Sequence, residues 1–122
     1  MAKTVLIVDD DAEMLYYCSY LLASYGYLVD TAADGTQARA ILKSKAFDLV
    51  LTDHVTVGMK ATPILEEVRT VQPEADMIVM SGIPTLKDAA TSYLAGARAY
   101  LEKPFSIGQL QEALDQCPRL AQ

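Results

Sequence analysis

The sequence predicts an α/β domain: a doubly wound, five-stranded parallel sheet with five helices. Three observations carry this. Short apolar runs alternate with amphipathic stretches five times along the chain. The first and third runs, Val5-Leu6-Ile7-Val8 and Leu49-Val50-Leu51, lack polar alternation, as strands covered on both faces do. Both runs are followed at once or almost at once by acids, Asp9-Asp10-Asp11 and Asp53, which places carboxylates along one edge of the sheet.

The elements follow in order. Lys3 to Val8 is the first strand. Met14, Leu15, Cys18, Leu21, Leu22 and Tyr25 recur at helical spacing and Gly26 stops the helix. Tyr27 to Ala32 is the second strand, Asp34-Gly35 a turn, and Ala38, Ile41 and Leu42 mark the second helix. Phe47 to Thr52 is the third strand, followed by a loop from Asp53 to about Ala61. Thr62 then reads as the N-cap and Pro63 as the first-turn proline of a third helix that turns Ile64, Leu65 and Val68 inward and ends at Pro73. Met77 to Met80 is the fourth strand. Ala89, Ala90, Tyr93 and Leu94 give a fourth helix closed near Gly96, Arg98 to Leu101 the fifth strand, and Ile107, Leu110, Ala113 and Leu114 the last helix, bounded by Pro118.

With 122 residues, 52% of them apolar, the chain makes one domain with a real core, residues 118–122 being a tail or the start of a linker. The net charge of −6 and the lack of clustered Lys or Arg argue against direct nucleic-acid binding, which needs positive charge to displace counterions. Cys18 and Cys117 are too few and too far apart for a zinc site or a disulfide framework. Cys18 lies on an apolar stripe and reads as a buried thiol, in keeping with a reducing compartment. No stretch is long enough to span a bilayer, and the first apolar run ends in aspartates, unlike a signal peptide. A cytoplasmic protein is expected.

Ligands of such sheets bind beyond the carboxyl ends of the strands. Those ends carry Asp9 and Asp10, Asp53, Ser81 and the segment before Lys103. Acidic oxygens from Asp9, Asp10 and Asp53 suit a hard cation such as Mg²⁺. Lys103 adds a point charge for a phosphoryl oxygen and Ser81 a hydroxyl donor. A carboxylate beside a metal, an ammonium and a hydroxyl is equipped to take a phosphoryl group. Asp11 reads as a helix cap rather than a ligand. His54, the only histidine, reads as an exposed loop side chain, with a metal ligand or proton shuttle as the alternative. Tyr25 continues the first helical stripe, whereas Tyr16, Tyr17 and Tyr20 are expected partly exposed, with a docking surface as the alternative.

Four segments, Val5-Leu6-Ile7-Val8-Asp9-Asp10-Asp11, Asp48-Leu49-Val50-Leu51-Thr52-Asp53, Met77-Ile78-Val79-Met80-Ser81-Gly82 and Ala97-Arg98-Ala99-Tyr100-Leu101-Glu102-Lys103-Pro104-Phe105, resemble those of the receiver domain of two-component response regulators, chemotaxis regulators included. The resemblance covers essentially the whole chain. It implies a flavodoxin-like sheet in the order 2-1-3-4-5. It implies that Asp53 accepts phosphate from a histidine kinase or phosphotransfer protein, and that Asp9, Asp10, Asp53 and the main-chain carbonyl of Val55 hold Mg²⁺. Ser81 and Lys103 would contact the phosphoryl group. Ser81 and Tyr100 would act as the switch, changing the partners of the face made by the fourth helix, fifth strand and fifth helix: a downstream protein, an output domain, or a second copy in a homodimer. Such a protein is not an enzyme in the ordinary sense, since it catalyses only its own phosphotransfer and dephosphorylation. The Lys103-Pro104 bond is cis in the family.

The chain departs from the family after the phosphoacceptor, where Thr56-Val57 replaces a Met-Pro pair and Lys60-Ala61 an acid-Gly pair. Altered backbone freedom in that loop and a third helix starting about two residues late are expected. Val55 and Ile83 occupy positions that in the family influence how water reaches the acyl phosphate. Both are apolar, so slow autodephosphorylation is expected. Two rival readings stand beside this one. A pseudo-receiver would use the same fold for protein interaction with little phosphorylation. A phosphohydrolase of the haloacid-dehalogenase type would use the Asp-x-Asp of Asp9 and Asp11, but it needs a later acidic pair that no strand end supplies.

Overall fold

The computed structural model of the chain describes residues 2–53, 55–56, 59–82 and 85–121, with the side chains of 55–56 and 59–63 excepted. Strands β1 (Thr4–Val8), β2 (Leu28–Ala32), β3 (Leu49–Asp53), β4 (Asp76–Ser81) and β5 (Ala99–Glu102) form one parallel sheet in the order β2-β1-β3-β4-β5, as expected. Helices α1 (Ala12–Ser24), α2 (Gly35–Ser44), α3 (Ala61–Val71), α4 (Leu86–Leu94) and α5 (Ile107–Asp115) connect or follow them.

Period-two geometry divides the uninterrupted apolar strands between two cores. Val5, Ile7, Leu49, Leu51, Ile78 and Met80 face α1 and α5, with Cys18, Leu22, Leu110 and Leu114 against them. Leu6, Val8, Val50 and Val79 face the other way, onto Ala38 and Leu42 of α2 and Ile64, Leu65 and Val68 of α3. The central strands are therefore fully buried, and their polar groups can sit only at the ends. Parallel pairing sets Val8 beside Thr52, Asp53 beside Met80 and Ser81 beside Glu102, which aligns the acid and hydroxyl ends along one rim.

Most elements lie within a residue or two of their expected bounds, and several details differ. The segment expected to be loop after β3 contains a two-residue antiparallel ribbon, with Val55 paired to Lys60 and Thr56 to Met59. The helix after it begins at Ala61, so Thr62 is not the N-cap but lies in the first turn, as does Pro63, where its missing N–H breaks no helical bond. Asp34 is a helix cap, its carboxylate accepting from the Gln37 N–H at 2.8 Å, and Gly35 starts α2. Tyr25 is 39% exposed at the C-cap of α1 rather than a continuation of the buried stripe. In α4, Ala90, Tyr93 and Leu94 are exposed, and the buried residue is Ser92. Its hydroxyl tolerates burial because it donates to the Asp88 carbonyl at 2.8 Å. Ile107 is likewise exposed at the start of α5.

Residues 118–122 were expected to be a tail or linker start. Pro118–Ala121 instead forms a short 3₁₀ helix tied to the rim opposite the acids. There the Arg119 guanidinium donates to Asp48 at 2.9 Å and to Glu74 at 3.1 Å, and its N–H donates to Asp76 at 2.9 Å. Asp76, 6% exposed, also accepts from Arg98 at 3.1 Å. Asp48 further accepts from the Thr4 N–H at 2.9 Å.

Desolvation works to raise the Asp48 pKa. The Thr4 amide and the hydrogen bond and charge of Arg119, with Lys3 behind them, outweigh it and hold the carboxyl below its ordinary value. A depressed carboxylate contributes stability that is complete above the unfolded-state value, near pH 4, and is lost as pH falls through the lowered native value. Asp48→Asn is expected to lower unfolding free energy by about 1–2 kcal/mol at neutral pH and to flatten part of the acid limb of the stability curve. Urea melts of both proteins across the acid range check this; parallel curves would refute it.

Candidate phosphoryl and cation site

The rim at the strand C-termini collects polar groups from four separate stretches of chain. Asp9 follows β1 and is fully buried. Its main-chain N–H donates to Ala32 at 3.1 Å, and one carboxylate oxygen accepts the Asp11 N–H at 3.0 Å. Its other oxygen accepts from Lys103 Nζ at 2.7 Å, and the same ammonium donates to Asp53 at 3.0 Å. Asp53 ends β3, with a side chain 14% exposed. Asp10 is exposed beside them, and Asp9, Asp10 and Asp53 each offer an oxygen within 4.8 Å of the others.

Ser81, 4% exposed, ends β4, and its carbonyl accepts the Lys103 N–H at 2.7 Å. Lys103 directly follows β5, and its bond to Pro104 is cis, as expected. Asp11 is the N-cap of α1, accepting from the Glu13 N–H at 3.0 Å, which is the cap role expected of it. Val55 opens the ribbon two residues beyond Asp53; its side chain, together with His54, Val57 and Ile83, lies outside the described residues.

Electrostatics explain why the site wants a cation. Burial raises the Asp53 pKa; the Lys103 hydrogen bond opposes it, and the nearby Asp9 and Asp10 charges add to the rise. Burial also disfavours the Lys103 ammonium. Hydrogen bonds and charge from Asp9 and Asp53 overcome that, leaving its pKa above the ordinary lysine value. Among the described residues, three clustered carboxylates face one ammonium. An all-oxygen donor set with surplus negative charge fits a hard divalent cation, so the residues present suit Mg²⁺.

Two contacts were not foreseen from the sequence. The buried Thr52 hydroxyl donates to the Asp53 carbonyl at 3.1 Å. Cys18 lies near enough to Asp9 and Lys103 to feel both charges, although burial is the main reason its thiol is pushed up to about 12. The Thr52 bond is local, between neighbouring residues of β3, whereas the surroundings of Cys18 arise only when α1 packs onto the sheet. Cys18 and Cys117 are both free and buried. Tyr16, Tyr17 and Tyr20 are exposed on α1, and Tyr17 leans on Phe105 with ring centroids 6.3 Å apart. Among the described residues no helix is long and apolar enough to cross a membrane.

Comparison with known proteins agrees with this geometry. Residues 5–115 match the model of the response regulator receiver domain. The chain belongs to that family, the receiver module of two-component systems. Among curated relatives, the transcriptional regulatory protein ZraR of Salmonella typhimurium is 34% identical over 111 residues, which is 91% of this chain and 25% of that protein. The chain thus spans about a quarter of the length of the curated relatives it matches. A CheY-like receiver domain protein from Methanospirillum hungatei JF-1 superposes with a TM-score of 0.89 at 32% identity, covering 95% of this chain and 93% of that one. The signal receiver domain of an HD domain-containing protein from Pseudomonas fluorescens Pf-5 gives 0.91 at 28% identity over the whole of both chains.

Lys103 competes with any cation for Asp9 and Asp53. Lys103→Met is therefore expected to tighten Mg²⁺ binding roughly threefold to tenfold, since it removes a positive charge within a few ångströms of the ligands. Isothermal titration calorimetry measures this, and unchanged or weaker binding would contradict it.

Proposed function

We propose that this domain is a phosphorylation-operated signalling switch in which Asp53 takes a phosphoryl group from a sensor histidine kinase or a phosphotransfer protein. The observation that carries the reading is the cluster itself: Asp53 sits beside Asp9 and Asp10 and shares the Lys103 ammonium with Asp9. Membership of the receiver family supports it. Asp9, Asp10, Asp53 and the Val55 carbonyl are the groups that would hold Mg²⁺. When bound, that ion supplies positive charge to the phosphoryl oxygens.

The chain's own residues do the rest. A carboxylate oxygen of Asp53 attacks phosphorus; the O–P bond forms as the N–P bond of the donor phosphohistidine breaks, and the imidazole nitrogen keeps the bonding pair. Lys103, already held at the carboxylates, takes up a phosphoryl oxygen, and the Ser81 hydroxyl donates to another. Ser81 is joined to β5 through the Lys103 N–H and its register with Glu102, so a shift of Ser81 towards phosphate is passed to β5 and Tyr100. The α4–β5–α5 face then meets a downstream protein or output domain differently. The domain turns over only its own phosphoryl group. The reading places it in the cytoplasm, where the two buried thiols stay reduced.

Beryllofluoride with Mg²⁺ tests the reading. Amide shifts spreading from Asp53 to α4 and β5 are expected in the wild type and absent in Asp53→Asn. No Asp53-dependent change would leave the pseudo-receiver reading in its place. Turnover of a generic phosphate ester would revive the phosphohydrolase, against which Asp11 already acts as a helix cap.

With apolar residues at 55 and 83, no side chain there can orient a water. The acyl phosphate formed from acetyl phosphate should outlast that of a Val55→Asn, Ile83→Glu double variant by roughly tenfold, less than the roughly 10²–10⁴-fold typical of a positioned general base. Equal half-lives would remove the explanation.

A further inference from the structure

The outer side of β5 carries a groove of about 390 Å³, walled by α4 and α5. Tyr93 and Tyr100 line one side; Gln109, Glu112 and Gln116 line the other, with Glu102 on the floor strand. Both charged residues of that lining are acids. Glu102 and Glu112 are exposed, and neither has an ion pair among the described residues. The nearest cations on these elements are committed or turned elsewhere: Arg98 pairs with Asp76, and Lys103 with Asp9 and Asp53. Lys87, in the first turn of α4, does not line the groove. Tyr93, 51% exposed, lines it, and Leu86, 92% exposed, lies seven residues earlier on the same face of α4.

An exposed apolar patch rimmed by charge of one sign marks a protein interaction surface. Its charge selects the partner. In a two-fold self-association the same patch meets itself, so a copy seated groove on groove would bring four carboxylates together, and like-charge juxtaposition is unfavourable. A partner with Lys or Arg beside apolar side chains meets no such penalty.

We propose that this groove takes a cationic amphipathic segment of another protein, its apolar side chains against Leu86, Tyr93 and Tyr100 and its Lys or Arg side chains against Glu102 and Glu112. The inference rests on reading this face as the output surface, and it adds the chemistry of the partner. Tyr100 lines the same groove, so its rearrangement on phosphorylation would change the groove's shape while leaving its charge.

Two fluorescein-labelled peptides of identical Leu pattern, one with Lys and one with Glu at every polar position, are the probe. Fluorescence anisotropy with the whole chain is expected to show the Lys peptide binding at least about tenfold more tightly, and less so as NaCl is added. Glu102→Gln with Glu112→Gln should remove most of that preference. Glu66→Gln with Glu67→Gln, an equal change in net charge on α3, should not, and Tyr93→Ala should weaken the Lys peptide. Circular dichroism melts confirm that each variant is folded. Equal loss from the α3 pair would show general attraction to an acidic protein and overturn the proposal, as would no effect of the groove pair or self-association abolished by the groove variants. Beryllofluoride separates this from the switch reading. If it shifts α4 and β5 amides while the charge preference is absent, the groove proposal alone fails. If the preference is present and beryllofluoride does nothing, phosphorylation control fails and the groove stands.

Discussion

Three carboxylates held together at the edge of an apolar sheet repel one another, and the rest of this domain is arranged around that repulsion. Lys103 relieves part of it by bridging Asp9 and Asp53. It does so from a residue ninety-four positions away from Asp9, which is possible only because β5 and β1 end on the same rim. The negative charge that remains suits a hard divalent cation. A site of this kind stores its driving force in electrostatics that packing maintains.

Packing maintains it through the burial of the sheet on both faces. Every residue of β1 from Val5 to Val8 and of β3 from Leu49 to Thr52 is buried, so neither strand can slide or turn without exposing apolar surface. The opposite rim carries a second set of charges, but of a different character. Asp48, Asp76 and Glu74 are matched by Arg98 and Arg119, and this rim closes the C-terminal 3₁₀ turn onto the domain. The matched rim holds structure in place. At the other rim the acids outnumber their cation among the described residues.

Between the two faces of the sheet the packing is uneven. α1, α2, α3 and α5 each bury apolar side chains, whereas the one buried residue of α4 is Ser92. This lightly anchored helix stands next to β5, the strand paired with β4 where Ser81 lies. Lightly packed elements are where conformational change is drawn from, and here that element also presents Leu86 and Leu94 to solvent.

The strands, the two-sided sheet and the polar residues at four strand ends were legible in the chain because they depend on local composition: a buried parallel strand must be apolar throughout, and its polar residues must come at its ends. Residue type and strand-end position already pointed Asp9, Asp10, Asp53, Ser81 and Lys103 to a cation and a phosphoryl group, the acceptor role of Asp53 and the switch role of Ser81 came from a resemblance, and the fold brings all five to one rim. Helix faces were read less well. Ala90, Tyr93 and Leu94 have the spacing of a buried stripe yet face outward, since periodicity identifies a helix without saying which neighbour covers it. Thr62 has the residue type of a cap yet sits inside the helix, because the ribbon before it sets where the helix starts. What the sequence by itself determined was the alternation of elements and the chemistry available at their ends. Only the tertiary structure decided which acids share a cation, which pair with arginine, and which stand bare in a groove, because those depend on distances between residues that are far apart along the chain.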